Sequence, residues 1–491
     1  MGEGNRIIFD LLLQPDPSYL AVQWLFLKLL AIVYLIAFWS LKSQLLGLYG
    51  RQGLLPIGVY LTRIQQSLGR KGLLRIPSLF WFKSDDRFLS QTANAGLLCS
   101  LLLLLGLWPP LLLLLLWLLY LSFVSVGRDF LSFQWDALLL ETGFMSIFFA
   151  LVTPPSLLMI VSFWVFCCRF LLSAGIVKLS SGDPNWRRLR ALDYHYWTQP
   201  LPNRLAWYAH QLPRWCQRLS TLGTFFFELL VPLLFLAPAP LRLLGFLLSI
   251  AFQLMLTASG NFGFFNLLTI TLLVPLLDAS YLWPLQELLA PLTLLPDRSL
   301  LIVLLAPVFL SFILLNSMQL FNLFIPPLPR GRLMQFLSSW MISNPYGLFA
   351  VMTTQRLEFE IEGSCDGQQW QRYRFRWKPG DPARPPRQVA PHMPRLDWQM
   401  WFAALNPQRL DPWLATLLQR LLEGSTEVSA LLQENPFKET PPTLIRLLLY
   451  RYQFTDRVTR RANGAWWKRN LIEELLVVSL KSDQKKGGLL Y

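Results

Sequence analysis

Long apolar runs constrain this chain more than any other feature. Runs at 20–41, 156–179 and 300–324 carry enough apolar residues in sequence to cross a bilayer's hydrocarbon as helices, which takes ~17–25 residues. Further runs occupy 93–108, 111–126, 145–152, 225–236, 241–257 and 262–277, and a shorter one at 281–295 suits the interface better than the bilayer core. Inside lipid a backbone must satisfy its own hydrogen bonds, so such runs are expected to be helical. The composition agrees, with 54% hydrophobic residues and a mean hydropathy of +0.40, above that of a soluble domain. The fold class expected is a polytopic α-helical membrane bundle of about six to nine helices, followed by a small α+β extramembrane domain.

Local signals refine this picture. Residues 1–20 contain Glu3, Asp10 and Asp16 and show no cleavage site after an early apolar core. The 20–41 run is therefore read as an uncleaved first span. Pro109 and Pro110 separate two Leu-rich runs, and consecutive prolines remove two helical donors, so a hairpin of two helices is expected there. The segment 127–143, with Arg128, Asp129, Asp136 and Glu141, reads as an interruption of the apolar pattern.

The formal charge of +15 has a topological explanation. Lys and Arg gather between apolar runs, as at 42–92, where Lys42, Arg51, Arg63, Arg70, Lys71, Arg75, Lys83 and Arg87 face only Asp85 and Asp86. Contact with lipid headgroups and the positive-inside rule account for such loops, and the rule assigns this one to the cytoplasm. Membrane lipids are thus expected partners, and nucleic acid is not, since no recognition motif accompanies the charge. The cysteines are Cys99, Cys167, Cys168, Cys216 and Cys365. They have neither metal-ligand nor redox-dithiol spacing, and no metal or cofactor is expected. A Cys216–Cys365 disulfide stays open if both face an oxidising compartment.

Composition changes near 326–332, dividing a membrane domain at 1–330 from an α+β domain at 331–491. Residues 356–361 and 371–377 alternate as half-buried strands, 447–454 and 471–480 suggest two more, 398–405 and 412–422 suit short helices, and 481–491 reads as a loose tail.

Between two apolar runs lies an aromatic-rich interfacial segment at 180–220 that holds two of the three histidines, His195 and His210. His195, beside Asp193, Tyr194 and Tyr196, has the surroundings of a general base, since an unperturbed imidazole titrates near neutrality. The alternative is a His bonded within a folded cap. No G-x-S-x-G accompanies it, and its spacing to His210 is not that of a metal pair. In TQPLPN, which includes Gln199, Pro200, Pro202 and Asn203, the prolines fix an extended path, suited to a preformed recognition surface or to a stiff connector.

Other polar positions carry similar pairs of readings. Asp136 and Glu141 suggest either a polar cavity or ion pairs with Arg169 or Lys178, and Glu228 calls for a basic partner. Asn261, in SGN, reads as a tight helix connection or a cavity contributor. Trp398, Trp401 and Phe402 share one helical face, suited to core or to docking on the bundle or a client. Arg395 and Asp397 orient the entry to that helix, with Asp397 as a candidate N-cap.

Four blocks together carry a resemblance: DYHYWTQPLPN (193–203), QWDALLLETGF (134–144, with Trp135), SGNFGFFNLLTI (259–270) and PRLDWQMWFAAL (394–405). In this order they resemble the signatures of the lipase maturation factor family, and the similarity spans most of the chain. At Trp197 this sequence departs from a position that is usually acidic in the family. The resemblance implies a folding and assembly factor for secreted lipases, resident in the endoplasmic reticulum membrane and without an established catalytic centre. The partner it implies is a secreted client protein, a lipase by resemblance. The absence of any N-x-S/T sequon equally suits a bacterial inner membrane. The membrane part is also distantly similar to the vitamin K-dependent carboxylase superfamily, which casts His195, Lys178 or Glu141 as acid–base groups. A transporter reading rests only on the intramembrane charges.

Overall fold

The structure is a computed structural model that describes residues 12–289, 299–324 and 331–480. Among these residues, seven helices are long and apolar enough to cross a membrane, or eight if one bent pair counts as a span. The helices used below are α1 (Leu20–Lys42), α2 (Asp86–Leu105), α3 (Pro109–Val126), α4 (Gln134–Phe149), α5 (Leu157–Ser180), α6 (Ala191–Thr198), α7 (Arg204–His210), α8 (Arg214–Phe225), α9 (Ala239–Ser259), α10 (Phe265–Leu273), α11 (Ser299–Phe321), α12 (Arg395–Ala404) and α13 (Pro412–Leu422).

Pro109 and Pro110 occupy the first two positions of α3, where no intrahelical donor is lost, so the proline pair starts this helix. Gly106 ends α2 in the left-handed region at φ 91°, and a two-helix hairpin results, as expected. Close helix contacts depend on glycine elsewhere. A Cβ on Gly96 in α2 would stand 2.4 Å from the ring of Phe38 in α1, and one on Gly143 in α4 would stand 2.0 Å from the Tyr34 hydroxyl.

Several sequence boundaries are corrected. The interruption expected at 127–143 ends at Phe133: α4 begins at Gln134 and takes in the 145–152 run as far as Phe149. Asp136 and Glu141 are helical and buried at bundle depth because each has a basic partner. The 225–236 run is the second half of a longer rod. In it α8 continues through a π-turn at Phe226–Leu230 and a 3-10 stretch at Val231–Leu236. The 262–277 run is helical from Phe265, then 3-10 at Val274–Leu276. The part of the 281–295 reading beyond 289, and the tail 481–491, lie outside the described residues.

The C-terminal region forms an antiparallel sheet of β1 (Arg356–Ser364), β2 (Gln371–Arg372), β3 (Leu444–Phe454) and β4 (Trp467–Ser479), in the order β2-β1-β3-β4. Of the strand expected at 371–377, only two residues pair with β1. β1 is buried on both faces rather than half-buried. Phe359 and Ile361 enter the apolar core, while Arg356, Glu358 and Glu360 point the other way and are buried as well.

The basic loop, the turn before α4, the aromatic segment and the SGN turn all meet the C-terminal region. Gly47 lies against Glu427 and Leu431, Phe130 packs on Trp413 at 5.4 Å, Trp197 is bonded by Arg356, and Asn261 bonds Arg387. Alternate connections of the bundle therefore gather at one end, with the sheet and its helices seated on them. One hydrophobic core runs without a break from bundle residues such as Val22 to domain residues such as Val478. All five cysteines are free, Cys216 half-buried and Cys365 exposed.

Candidate functional site

The four signature blocks lie far apart in sequence and converge at the junction of bundle and domain. Arg395, at the start of α12, reaches into the bundle and grips Asp136 of α4 through two bonds of 2.6 and 2.7 Å. Tyr120 donates to the same carboxylate at 2.6 Å, and Arg395 also donates to the Phe130 carbonyl. A bidentate, charge-assisted pair of this kind holds both partners in one geometry. Asp397 is not the N-cap, a place taken by Pro394. Its carboxylate instead accepts the backbone N–H groups of Trp377 and Lys378 at 2.8 and 2.9 Å. Burial nevertheless holds its pKa above the usual range, opposed by those two bonds.

Asn261 is the second fastener. It donates to the carbonyls of Leu201 and Arg387 and accepts from the N–H groups of Val389 and Ala390. TQPLPN is clamped nearby: Arg356 donates to the carbonyls of Trp197, Gln199 and Pro200, and Trp401 donates to that of Thr198. Asn203 caps α7 through Ala206 N–H and reaches Ala258 and Gln388 with its amide nitrogen. Pro202 borders a shallow crevice beside Arg387 and Trp467. Gln199, Leu201 and Asn203 are buried, so this path is a stiff internal connector and not an exposed surface.

The aromatic stripes complete the seam. Trp135 of α4 meets Trp398 edge-on at 5.2 Å, so the Trp398 face is core and docks on the bundle at once. Trp197 and Trp207 pack with Tyr452, Phe454, Trp466 and Trp467, and partly buried Tyr194 and Tyr196 close the cluster. His210 lies between Trp197 and Phe454, and burial lowers its pKa. Asp193 pairs with Arg190 at 3.5 Å.

Glu141 forms a separate cluster. It accepts from Arg169 at 2.6 Å, Tyr346 at 2.7 Å, and the backbone and side chain of Asn344. The ion-pair reading thus holds for it with Arg169, whereas the partner of Asp136 is Arg395. Lys178 belongs to Glu228, donating to both carboxylate oxygens at 2.8 Å and to the Ala174 carbonyl at 3.1 Å.

Beside this last pair lies a cavity of about 350 Å³, walled by α5, the α8 rod, α9 and α10. Phe170, Phe227, Phe252 and Phe265 make much of its wall, and Lys178, Glu228, His195 and Tyr196 border it. His195 is buried against Phe349 at 5.0 Å, and burial, with Lys178 nearby, pushes its pKa down to about 4. It is neutral at physiological pH. Glu141 does not border this cavity, and all three Lys178 donors are occupied, so the acid–base set implied by the carboxylase likeness is not assembled. Among the described residues no group of three His, Cys, Asp or Glu side chains is placed to hold a metal ion.

Sequence reasoning missed Gln134, Gln253 and Asn266, which also border the cavity. Gln253 was legible as a lone amide inside an apolar run. The roles of Tyr120, Asn344, Tyr346 and Arg356 had no local signal.

The family model described as the lipase maturation factor transmembrane domain matches residues 21–283, and that of the C-terminal domain of the same family matches 342–477. The chain belongs to the lipase maturation factor family. It is 34% identical to lipase maturation factor 2 of Homo sapiens, over 92% of this chain and 81% of that protein. It is 35% identical to lipase maturation factor 1 of Mus musculus, over 91% of this chain and 85% of that protein. No solved structure matches it. As a member of the lipase maturation factor family with at least seven helices long and apolar enough to cross a membrane among its described residues, it is an integral membrane protein. The seam crosses from one matched region to the other, since Asp136 lies in the first and Arg395 in the second.

Proposed function

We propose that this chain is a membrane-resident maturation factor for a secreted lipase, acting by holding the client rather than by catalysis, and that the outer edge of β4 is where it holds it. The family supports the role. The observation that carries the surface is the exposure of β4. It spans 13 residues at the end of the sheet and pairs on one side with β3. Leu471 and Ile472 are both exposed (56% and 43%), where a bulge at Ile472 shifts the register with β3. An open edge offers unpaired backbone groups to an incoming strand, and the flanking Glu473 and Glu474 discourage indiscriminate pairing. The resemblance assigns this work to the endoplasmic reticulum membrane; a bacterial inner membrane is the other assignment consistent with the missing sequons. In either, a secreted client puts β4, and the basic loop seated against its domain, on the side away from the cytoplasm, opposite to the positive-inside assignment of that loop.

A photoreactive residue replacing Leu471, in the full chain in its native membrane, tests this. Crosslinks to one or a few secreted hydrolases are expected. Crosslinks confined to the chain itself, with client captured from another surface position, overturn the assignment of β4.

A further inference from the structure

The cavity beside Lys178 and Glu228 has the make-up of a hydrocarbon site, independent of the client reading. Protein interiors are close-packed and hold few spaces larger than a water molecule, whereas this one measures about 350 Å³, within the range of ligand pockets. Its walls are held at a fixed spacing. The Lys178–Glu228 pair ties α5 to the α8 rod, in which the π-turn at Phe226–Leu230 carries Glu228. Phe227 of that turn stacks on Phe252 of α9 at 4.8 Å and ties the rod to the next span.

The polar rim and the apolar walls lie at different depths. Lys178 stands two residues from the end of α5 and Ser259 ends α9, and both border the cavity on the side of the C-terminal region. Phe170 and Phe252 border it about two helical turns further into the same spans. The amide oxygens of Gln253 and Asn266 are sealed in the wall and offer a ligand nothing. No charge is free there either. Lys178 donates to both oxygens of Glu228 and to the Ala174 carbonyl, and His195 is neutral at physiological pH.

The opening is toward lipid. Leu219 of α8 and Met255 of α9 border the cavity and are 60% and 52% exposed, on two spans with most of their surface outside the protein. Water needs several polar partners to enter such a space, and apolar walls left uncovered forfeit dispersion contacts. The bilayer presents its own hydrocarbon at this opening, at a local concentration no dissolved molecule approaches.

We infer that the cavity takes up one acyl chain of a bilayer phospholipid, which enters between the α8 rod and α9. The chain lies along Phe170, Phe227, Phe252 and Phe265, and the headgroup stays outside at the interface.

The test uses the purified full chain in dioleoylphosphatidylcholine vesicles that carry a phosphatidylcholine with a diazirine in one acyl chain. Phe170, Leu171 and Phe265 are buried among the helices, where lipid around the protein does not reach, so crosslinks on them report the cavity. Such crosslinks are expected beside general labelling of outward residues such as Leu244 and Leu247 of α9. Gly223 borders the cavity one turn from Leu219, and a Cβ there meets no atom within 4 Å, so a ring has room to enter. Gly223→Phe should cut crosslinks on Phe170 and Phe265 at least about tenfold, with those on Leu244 and Leu247 and the melting temperature near the parent's. Labelling confined to outward residues of the parent overturns the inference, whether or not the variant folds. So does labelling of Phe170 and Phe265 that a folded Gly223→Phe leaves unchanged, or a diazirine-bearing sterol that labels them where the phospholipid does not.

Discussion

Asn261 and Asn266 stand in the same signature block, and their surroundings differ sharply. Asn261, at the seam, uses both ends of its amide, in four hydrogen bonds to the connector and the domain. Asn266, at the cavity, uses only its nitrogen, on Thr257. The ion pairs differ in what surrounds them. Arg395 and Asp136 join the domain to the bundle, with a phenol and a carbonyl drawn in. Lys178 and Glu228 join two spans and border open volume.

The largest expected effect lies at the seam. Arg395→Ala leaves Asp136 as an uncompensated buried charge and should lower unfolding free energy by about 3–5 kcal/mol. The paired change Asp136→Leu with Arg395→Met should recover most of that, as read by thermal unfolding in detergent. Equal damage from the single and paired changes would break the account of the seam as an ion-pair fastener. Next comes the asparagine comparison itself. Asn261→Ala strands two carbonyls and two N–H groups and should cost on the order of 2–4 kcal/mol, against less than about 1 kcal/mol for Asn266→Ala. Equal losses would erase the distinction.

Within the bundle, Gly143→Ala drives a methyl group onto the Tyr34 hydroxyl and should destabilise by about 1–3 kcal/mol. Tyr34→Phe in the same chain should relieve part of this, and no relief would relocate the strain. A further effect depends on pH. Burial pushes His195, at the cavity, and His392, beside the seam, from 6.5 to about 4 in the folded chain. Between those values the unfolded chain binds more protons, so stability falls as pH drops from about 6.5 toward about 4. His195→Gln and His392→Gln should each flatten part of that slope in melting temperature against pH. A slope unchanged in both variants would assign acid sensitivity to other groups.

Much of the architecture was legible because its causes are local. The spans follow from run length, and the α2–α3 hairpin from two prolines. The misreading of 127–143 has the opposite cause. A carboxylate in an apolar stretch looks like a break until its partner is known, and the partner of Asp136 is 259 residues away. The resemblance blocks marked the right residues without saying what they touch. The aromatic stretch looked equally fit for a client or for the protein itself, and Trp186, Trp197 and Trp207 proved to be buried within the chain.

The sequence by itself determined that this is a helical membrane protein of the lipase maturation factor kind with a basic C-terminal sheet region. Run length, charge placement and long motifs are properties of neighbouring residues. Only the tertiary structure decided which buried charges pair, that the two regions share one core, and that Lys178 and Glu228 border a cavity walled by phenylalanines. Those outcomes depend on contacts between residues far apart in the chain, and the energy of a buried polar group is set by whatever folding brings to it.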